Sequence, residues 1–376
     1  MASSINLLTA TASELQAELC NGSITSKQLV KLYLDQISKY NGYLKAVTAV
    51  VQEDILTRRA EALDNKRAQG MTHGPLHGMA NAGGSSAGSA VAVAAGFSPP
   101  TRKIVPTIGI VSPGAGPDYA GPMAKTVLDL ANLLDVMVDQ TKTRMMLEGG
   151  YRSAVTGKWG EIRIGVLDPD EWLSQSPAKY EKEASNQMVR EWKAAYKKLA
   201  TVAEAVEPVT LVSVDESIEQ SKRDRTELDA TFPRLKVRLD RYVALVDDAE
   251  FRVCTVDDIG KFSREHAVEE QPPGADRQAS IIRVVQTLMT DQDHEDVQTF
   301  TRNQRKTQGI NRVLEENKVN VIMKPRDGPL FRISGTEEYP EASLPLGYLD
   351  CNGKPFGLQI MAKAHQEALL IQVQSA

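Results

Sequence analysis

Cysteine is scarce in this chain: Cys20, Cys254 and Cys351 are the only three. They are odd in number, far apart and without a CxxC pair, which excludes a disulfide framework and a clustered-thiolate metal site. They are expected to be reduced, partly buried thiols of a cytoplasmic protein. Long apolar runs are lacking too; none approaches the roughly 18 residues that a membrane span needs. Met1 to Thr11 has no basic n-region, so no secretory signal is expected. Positive charge is not in excess: 44 Lys+Arg against 49 Asp+Glu leave a net −5, which argues against nucleic acid as a main partner. There is no Walker lysine, no Cys/His cluster and no internal repeat, so no cofactor or metal is expected.

What is present is a chain of 376 residues, 25% charged and 41% hydrophobic, near the averages of globular proteins. Its organising stretch is Gly83-Gly84-Ser85-Ser86-Ala87-Gly88-Ser89-Ala90, followed by the small apolar run Val91 to Gly96. Glycine and serine let the backbone turn sharply and approach another group closely. A loop of this kind feeding a buried helix N-terminus gathers N–H groups and hydroxyls at one point, a favourable place for an oxyanion or phosphate. A flexible linker has a similar composition, but a linker would not run straight into a close-packing, uncharged segment.

Along the chain, Thr11-x-x-Glu14 and Thr25-x-x-Gln28 are capping-box patterns that open two helices. The second carries a stripe of Val30, Tyr33, Leu34 and Ile37 opposite Lys27, Lys31, Asp35 and Lys39. Ala46 to Val51 is a strand candidate, and a charged helix runs from about Glu53 to Gln69, stopping at Gly70. His73-Gly74-Pro75-Leu76-His77-Gly78 is a turn whose histidines have no further ligand cluster. Ile104 to Val111 is a short strand, and Thr126 opens a helix with Val127, Leu130, Ala131 and Leu134 on one face. Ile162 to Leu167, a helix from about Ala178 to Ala203 and Val209 to Val214 form a strand–helix–strand unit, as a parallel sheet requires. Asp215 to Val313 is strongly charged and is expected to be a mainly helical insertion. Val319 to Met323 is a strand entering Lys324-Pro325, and Ala342 to Leu349 with Phe356 to Ala362 form a closing strand pair around Asp350-Cys351-Asn352-Gly353. A helical pattern from Gln366 runs to Ala376 without a C-cap, as in a truncated helix.

With these residues in view, the chain resembles the amidase signature family of Ser–Ser–Lys hydrolases, most of all its fungal amidases. The likeness lies in Asn21 to Ser26, His73 to Gly78, the Gly83–Ala90 loop, Thr107 to Ser112, Ala120 to Val127, Leu344 to Tyr348 and Pro355 to Gln359. It implies an α/β fold with a central mixed, largely parallel sheet covered by helices on both faces. It also implies one amidase-like domain over 1–376: a helical region at 1–78, a signature core at 83–214, the charged insertion at 215–313 and C-terminal strands with a truncated helix at 314–376. The implied reaction is hydrolysis of a carboxylic amide through an acyl-serine, with a small-molecule amide as partner and a homo-oligomer compatible. Its chemistry uses a lysine base whose proton affinity burial has lowered, a relay serine and a nucleophilic serine, with backbone N–H groups holding the oxyanion. The relay position is Ser85; Gly83, Gly84, Ser86 and Ser89 would shape and support the loop.

The departures are as specific as the likeness. Only Met79 to Ala82 separate Gly78 from Gly83, where the family has a strand ending in its lysine. Four residues span roughly 14 Å, too few for a strand and the roughly dozen-residue crossover that returns to a parallel neighbour. No lysine lies in this interval. Past Gly96 the Gly-rich segment bearing the nucleophile is also missing; Ser98 and Ser112 sit in no such turn, Lys103 lies beside Arg102 in a Pro-rich loop, and Tyr119 replaces a family Ser/Thr. Core segments have thus been deleted, and the chain as written is expected to be inactive, as a pseudoenzyme that binds an amide or a partner, or as a product of skipped exons.

Overall fold

The computed structural model describes residues 5–7, 9–44, 52–71, 121–138, 148–174, 180–211, 240, 255–266, 310–325 and 339–376. The candidate strands at 46–51 and 104–111 lie outside them. Both capping boxes form. Thr11 and Glu14 bond reciprocally at the start of helix α1 (Ala12–Cys20), and Thr25 and Gln28 do so at α2 (Ser26–Leu44). Along α2 the expected stripe is only partly covered. Val30, Leu34 and Ile37 are half-buried and Tyr33 is exposed, whereas Leu29 carries the burial. Helix α3 (Glu53–Ala68) ends before Gly70, whose φ of +73° suits a residue without Cβ. Asp64 on α3 accepts from the Ser26 and Lys27 amides and so caps α2 from outside. Burial works to raise the Asp64 carboxyl, but these bonds, the Ser26 hydroxyl and the Arg67 charge hold it below the usual carboxylate range.

Helix α4 (Val127–Met137) is capped by Thr126 and buries Leu130, Ala131 and Leu134, as its stripe predicts. A 3-10 turn at Tyr151–Ala154 leads to strand β1 (Arg163–Val166), then to a short helix α5 (Pro169–Ser174) and to α6 (Lys182–Leu199). The last is shorter than expected at both ends. Its stripe is core: Trp192 is 1% exposed, and its Nε1 donates to the Gly357 carbonyl. Strand β2 is Ala205–Pro208, earlier than Val209 to Val214. It lies at one margin of the described sheet, where Glu207 and Pro208 are tolerated because one side of the strand needs no ladder partner. Val209 and Leu211 are buried, but as packing residues beyond the strand.

Within the charged region, α7 (Val256–Glu265) and α8 (Ile310–Glu316) are helical. Strand β3 is Val321–Pro325, so Lys324 and Pro325 belong to the strand instead of following it. Strands β4 (Glu341–Tyr348) and β5 (Pro355–Ala362) form the expected hairpin, and α9 (Glu367–Ser375) follows. The sheet order is β2-β1-β3-β5-β4; the two pairings around β1 are parallel and the two involving β5 antiparallel. The α/β expectation holds, with a mixed sheet evenly divided among the described strands.

Strand alternation sorts the side chains onto two faces. Val321, Met323, Leu358, Ile360 and Ala362 pack with Trp192 of α6 and Leu370 and Val373 of α9. On the other face Ile322 and Met361 pack with Trp172 of α5 and Ile310, Val313 and Leu314 of α8. Helices therefore cover both faces. The chain leaves β1 to reach β2 on one side and later returns to β3 on the other, which places a topological switch point between the C-terminal ends of β1 and β3. Cys20 and Cys351 are exposed, against the expectation of partial burial, because each sits where its element turns into solvent; Cys254 lies outside the described residues.

Candidate functional site

The Gly83–Ala90 loop lies outside the described residues, and with it Gly83, Gly84, Ser85, Ser86 and Ser89, as do the 73–78 turn, Ser98, Lys103, Ser112 and Tyr119. Of the stretches near that loop in sequence, Gly121 to Val127 is described, and its polar groups do structural work. Lys125 Nζ donates to the carbonyls of Leu7 and Ala10, at 3.1 and 3.2 Å. Asp129, 2% exposed, accepts from the Ala12 and Ser13 amides and from Ser13 Oγ, so it caps α1 from a helix more than a hundred residues later. Burial lowers the proton affinity of Lys125, partly offset by the charges of Asp129 and Glu14.

A second polar constellation sits beside the switch point, where ligands of open α/β sheets gather. On the face of Ile322 and Met361, alternation brings Lys324, Gln359 and Glu341 onto three adjacent strands. Lys324 and Gln359 are direct cross-strand partners, and Lys324 Nζ donates to Gln359 Oε1 at 2.6 Å. That bond orients the amide so that its Nε2 donates to Glu341 Oε2. Lys324 is 1% exposed and Glu341 6%. The ammonium also lies 5.5 Å from the centroid of the Trp172 ring, within cation–π range. The result is a directional line, aromatic–cation–amide–carboxylate, from the β1–α5 corner to the start of β4. A buried charge of each sign is compensated through a neutral bridge. Trp172 Nε1 and Glu341 Oε1 are buried without a hydrogen-bond partner among the described residues, and they stand at opposite ends of the line.

Sequence reasoning missed this line, because it placed Lys324 after the strand Val319–Met323 and gave Gln359 no role beyond its place in the closing strand. Counting alternate positions back from Lys324 to Ile322 and across to Gln359 is the signal that finds it. Beside it, a cavity of about 20 Å³ lined by Leu167, Asp168, Trp172, Val209 and Thr210 has room for one water. An open groove of about 440 Å³ lies between α5 and α6, lined by Asp170, Leu173, Ser185, Asn186 and Arg190. Among the described residues no group of three His, Cys, Asp or Glu could hold a metal ion. No helix among them is long and apolar enough to cross a membrane.

No family model matches the chain, yet solved structures share its fold. The native peptide amidase from Stenotrophomonas maltophilia has a TM-score of 0.75 at 21% identity, covering 98% of this chain and 96% of that one. An amidase family protein from Bacillus anthracis gives 0.73 at 17% identity, over 98% and 90%. A bacterial aryl acylamidase belonging to the amidase signature enzymes gives 0.65 at 16%, over 98% and 95%. The molecule thus has the amidase signature fold. Among curated proteins, a putative amidase of Schizosaccharomyces pombe is 40% identical over 75 residues, 20% of this chain and 12% of that protein. A probable amidase of Arabidopsis thaliana is 25% identical over 328 residues, 78% of this chain and 59% of that protein. The chain is related to the amidase signature family, and its matches span 12% and 59% of these two relatives.

Proposed function

We propose that this chain derives from an amidase-type hydrolase acting on small carboxylic amides, and that with its present sequence it does not catalyse the reaction. The relatives named as amidases support the reaction class. The observation that carries the inactivity is the interval Met79 to Ala82, which contains no lysine and is too short for a strand and its crossover. In the working reaction a neutral lysine would take a proton through Ser85 from a second serine, which would attack the amide carbonyl, with Gly83, Gly84, Ser86 and Ser89 holding the loop. With neither base nor nucleophile, Ser85 is a relay between absent partners. Lys324 does not replace the base, because its ammonium is already committed to Gln359. The three scattered cysteines support a cytoplasmic setting.

The purified chain is expected to remain unlabelled by a serine-directed fluorophosphonate probe and to release no amine from simple aryl amides. Labelling that Ser85→Ala abolishes, together with turnover, would refute the reading. The competing outcome is retained ligand binding: saturable binding of a small amide by the folded, unlabelled chain would make it a binding protein on an amidase scaffold. Sequencing the transcript across 78–83 and 96–104 separates a true deletion from skipped exons.

A further inference from the structure

Lys27, Lys193 and Lys363 each pair with a carboxylate, and their side chains are half-exposed. Lys324 differs on both counts: it is buried, and its Nζ meets a carboxamide. A carboxylate resists attack by an amine, whereas a carboxamide carries a nitrogen that can leave. The orientation of this carboxamide is fixed chemically. An ammonium only donates and a carboxylate only accepts, so Gln359 turns Oε1 to Lys324 and Nε2 to Glu341. With Nζ 2.6 Å from the carbonyl oxygen, it lies within about 3.8 Å of Cδ. Attack at a carbonyl carbon needs about 3–3.5 Å, a shift of less than about 1 Å. Antiparallel pairing of β3 with β5 holds the two side chains opposite each other, and Ile322, Met361 and Trp172 pack on the same face. Glu341 Oε1 has no hydrogen-bond partner among the described residues, which leaves that oxygen able to take up a proton.

We propose that Lys324 and Gln359 form an intramolecular ε-(γ-glutamyl)lysine cross-link between β3 and β5, with Glu341 as the proton carrier. The amide bridge passes a proton along the line: Nζ gives one to Oε1 while Nε2 gives one to Glu341. The neutral amine then attacks Cδ. As the Cδ–Nε2 bond breaks, Nε2 receives the proton held by Glu341 and the one held by Oε1, and leaves as ammonia. Nζ passes its second surplus proton to Glu341, and the Cδ carbonyl re-forms. No oxidant or reductant is needed. The ordered strands pre-set an encounter that would otherwise be bimolecular, and escape of ammonia to solvent makes the step one-way. The product ties together residues 35 apart in sequence and fastens the C-terminal hairpin to the strand that joins it to β1. Ser85 and its loop take no part.

The test is intact-mass measurement and peptide mapping of the full purified chain, held for days at neutral pH either folded or in urea. The folded chain is expected to lose about 17 Da and to yield a branched peptide joining the Lys324 segment to the Gln359 segment, while the chain in urea keeps its mass. The linked form should run faster in a denaturing gel, since a closed loop makes the unfolded chain more compact. Glu341→Gln, confirmed as folded by circular dichroism, should link about a hundredfold or more slowly. Lys324→Arg keeps the cation but offers no amine, and should not link at all. A folded parent that keeps its full mass and yields no branched peptide overturns the proposal, whatever the variants do. Linking that proceeds equally in urea, or at the parental rate in folded Glu341→Gln, overturns it too.

Discussion

At the residue scale, two buried ionisable groups set the sharpest expectations. Lys324 lies between Trp172 and Gln359 and is compensated at a distance by Glu341. Lys324→Met should be costly, on the order of 3–5 kcal/mol, because it leaves the Glu341 charge buried without its cation. Removing the charge as well, in Lys324→Met with Glu341→Gln, should recover a large part of that loss; urea midpoints of the two variants decide it. Glu367, 2% exposed in the first turn of α9, is pushed up by burial, against opposing effects of its own backbone amide and of His365. Between the ordinary glutamate value and the raised folded one, the unfolded chain has released its proton while the folded chain keeps it. Stability therefore falls as pH rises through that window and stays lowered above it. Glu367→Gln should melt higher than the parent at neutral pH and lose the advantage under acid, as thermal scans across pH would record.

At the scale of elements, the N-terminal helices depend on caps of two kinds. Thr11 closes α1 locally, and Thr11→Ala should cost about 1 kcal/mol. Asp129 serves two amides and a hydroxyl from another helix while buried, so Asp129→Ala leaves several donors unmet and should cost about 2–4 kcal/mol, with loss of α1 protection in hydrogen exchange. The Thr11 cap was legible in the sequence because its partners are three residues apart. Asp129 was not, because its partners are more than a hundred residues away. The same distinction runs through the sheet. The β4–β5 hairpin shows in its alternation and its Asn-Gly turn, and β1 in its apolar run. Strand β2 was displaced because Val209 and Leu211 are more apolar than Ala205 to Pro208, yet it is the latter that pair with Arg163 to Val166. Ladder pairing, not hydrophobicity, decides a strand at the margin of a sheet. The proposed relay, Ser85, was readable only through motif likeness, since its chemistry needs partners that local sequence does not supply.

At the scale of the molecule, the order in which the strands are synthesised matters. Strand β1 is bonded on one side to β2 and on the other to β3, and the Arg163 amide reaches Asn320, 157 residues later. At a translation rate of about 5–20 residues per second, Ile164 and Val166 are made roughly 8–30 s before the strand that completes their sheet. Throughout that interval a half-paired β1 offers its free ladder to any other strand it meets. A ribosome that stops anywhere in the charged middle region releases a chain whose core is open on one side. The C-terminal stretch carrying β3, β4, β5 and α9 acts as a late closure, and a population of nascent chains should be captured by chaperones until it emerges. Ribosome profiling of chaperone-bound nascent chains should therefore show engagement rising after β1 and ending only once β5 has cleared the exit tunnel.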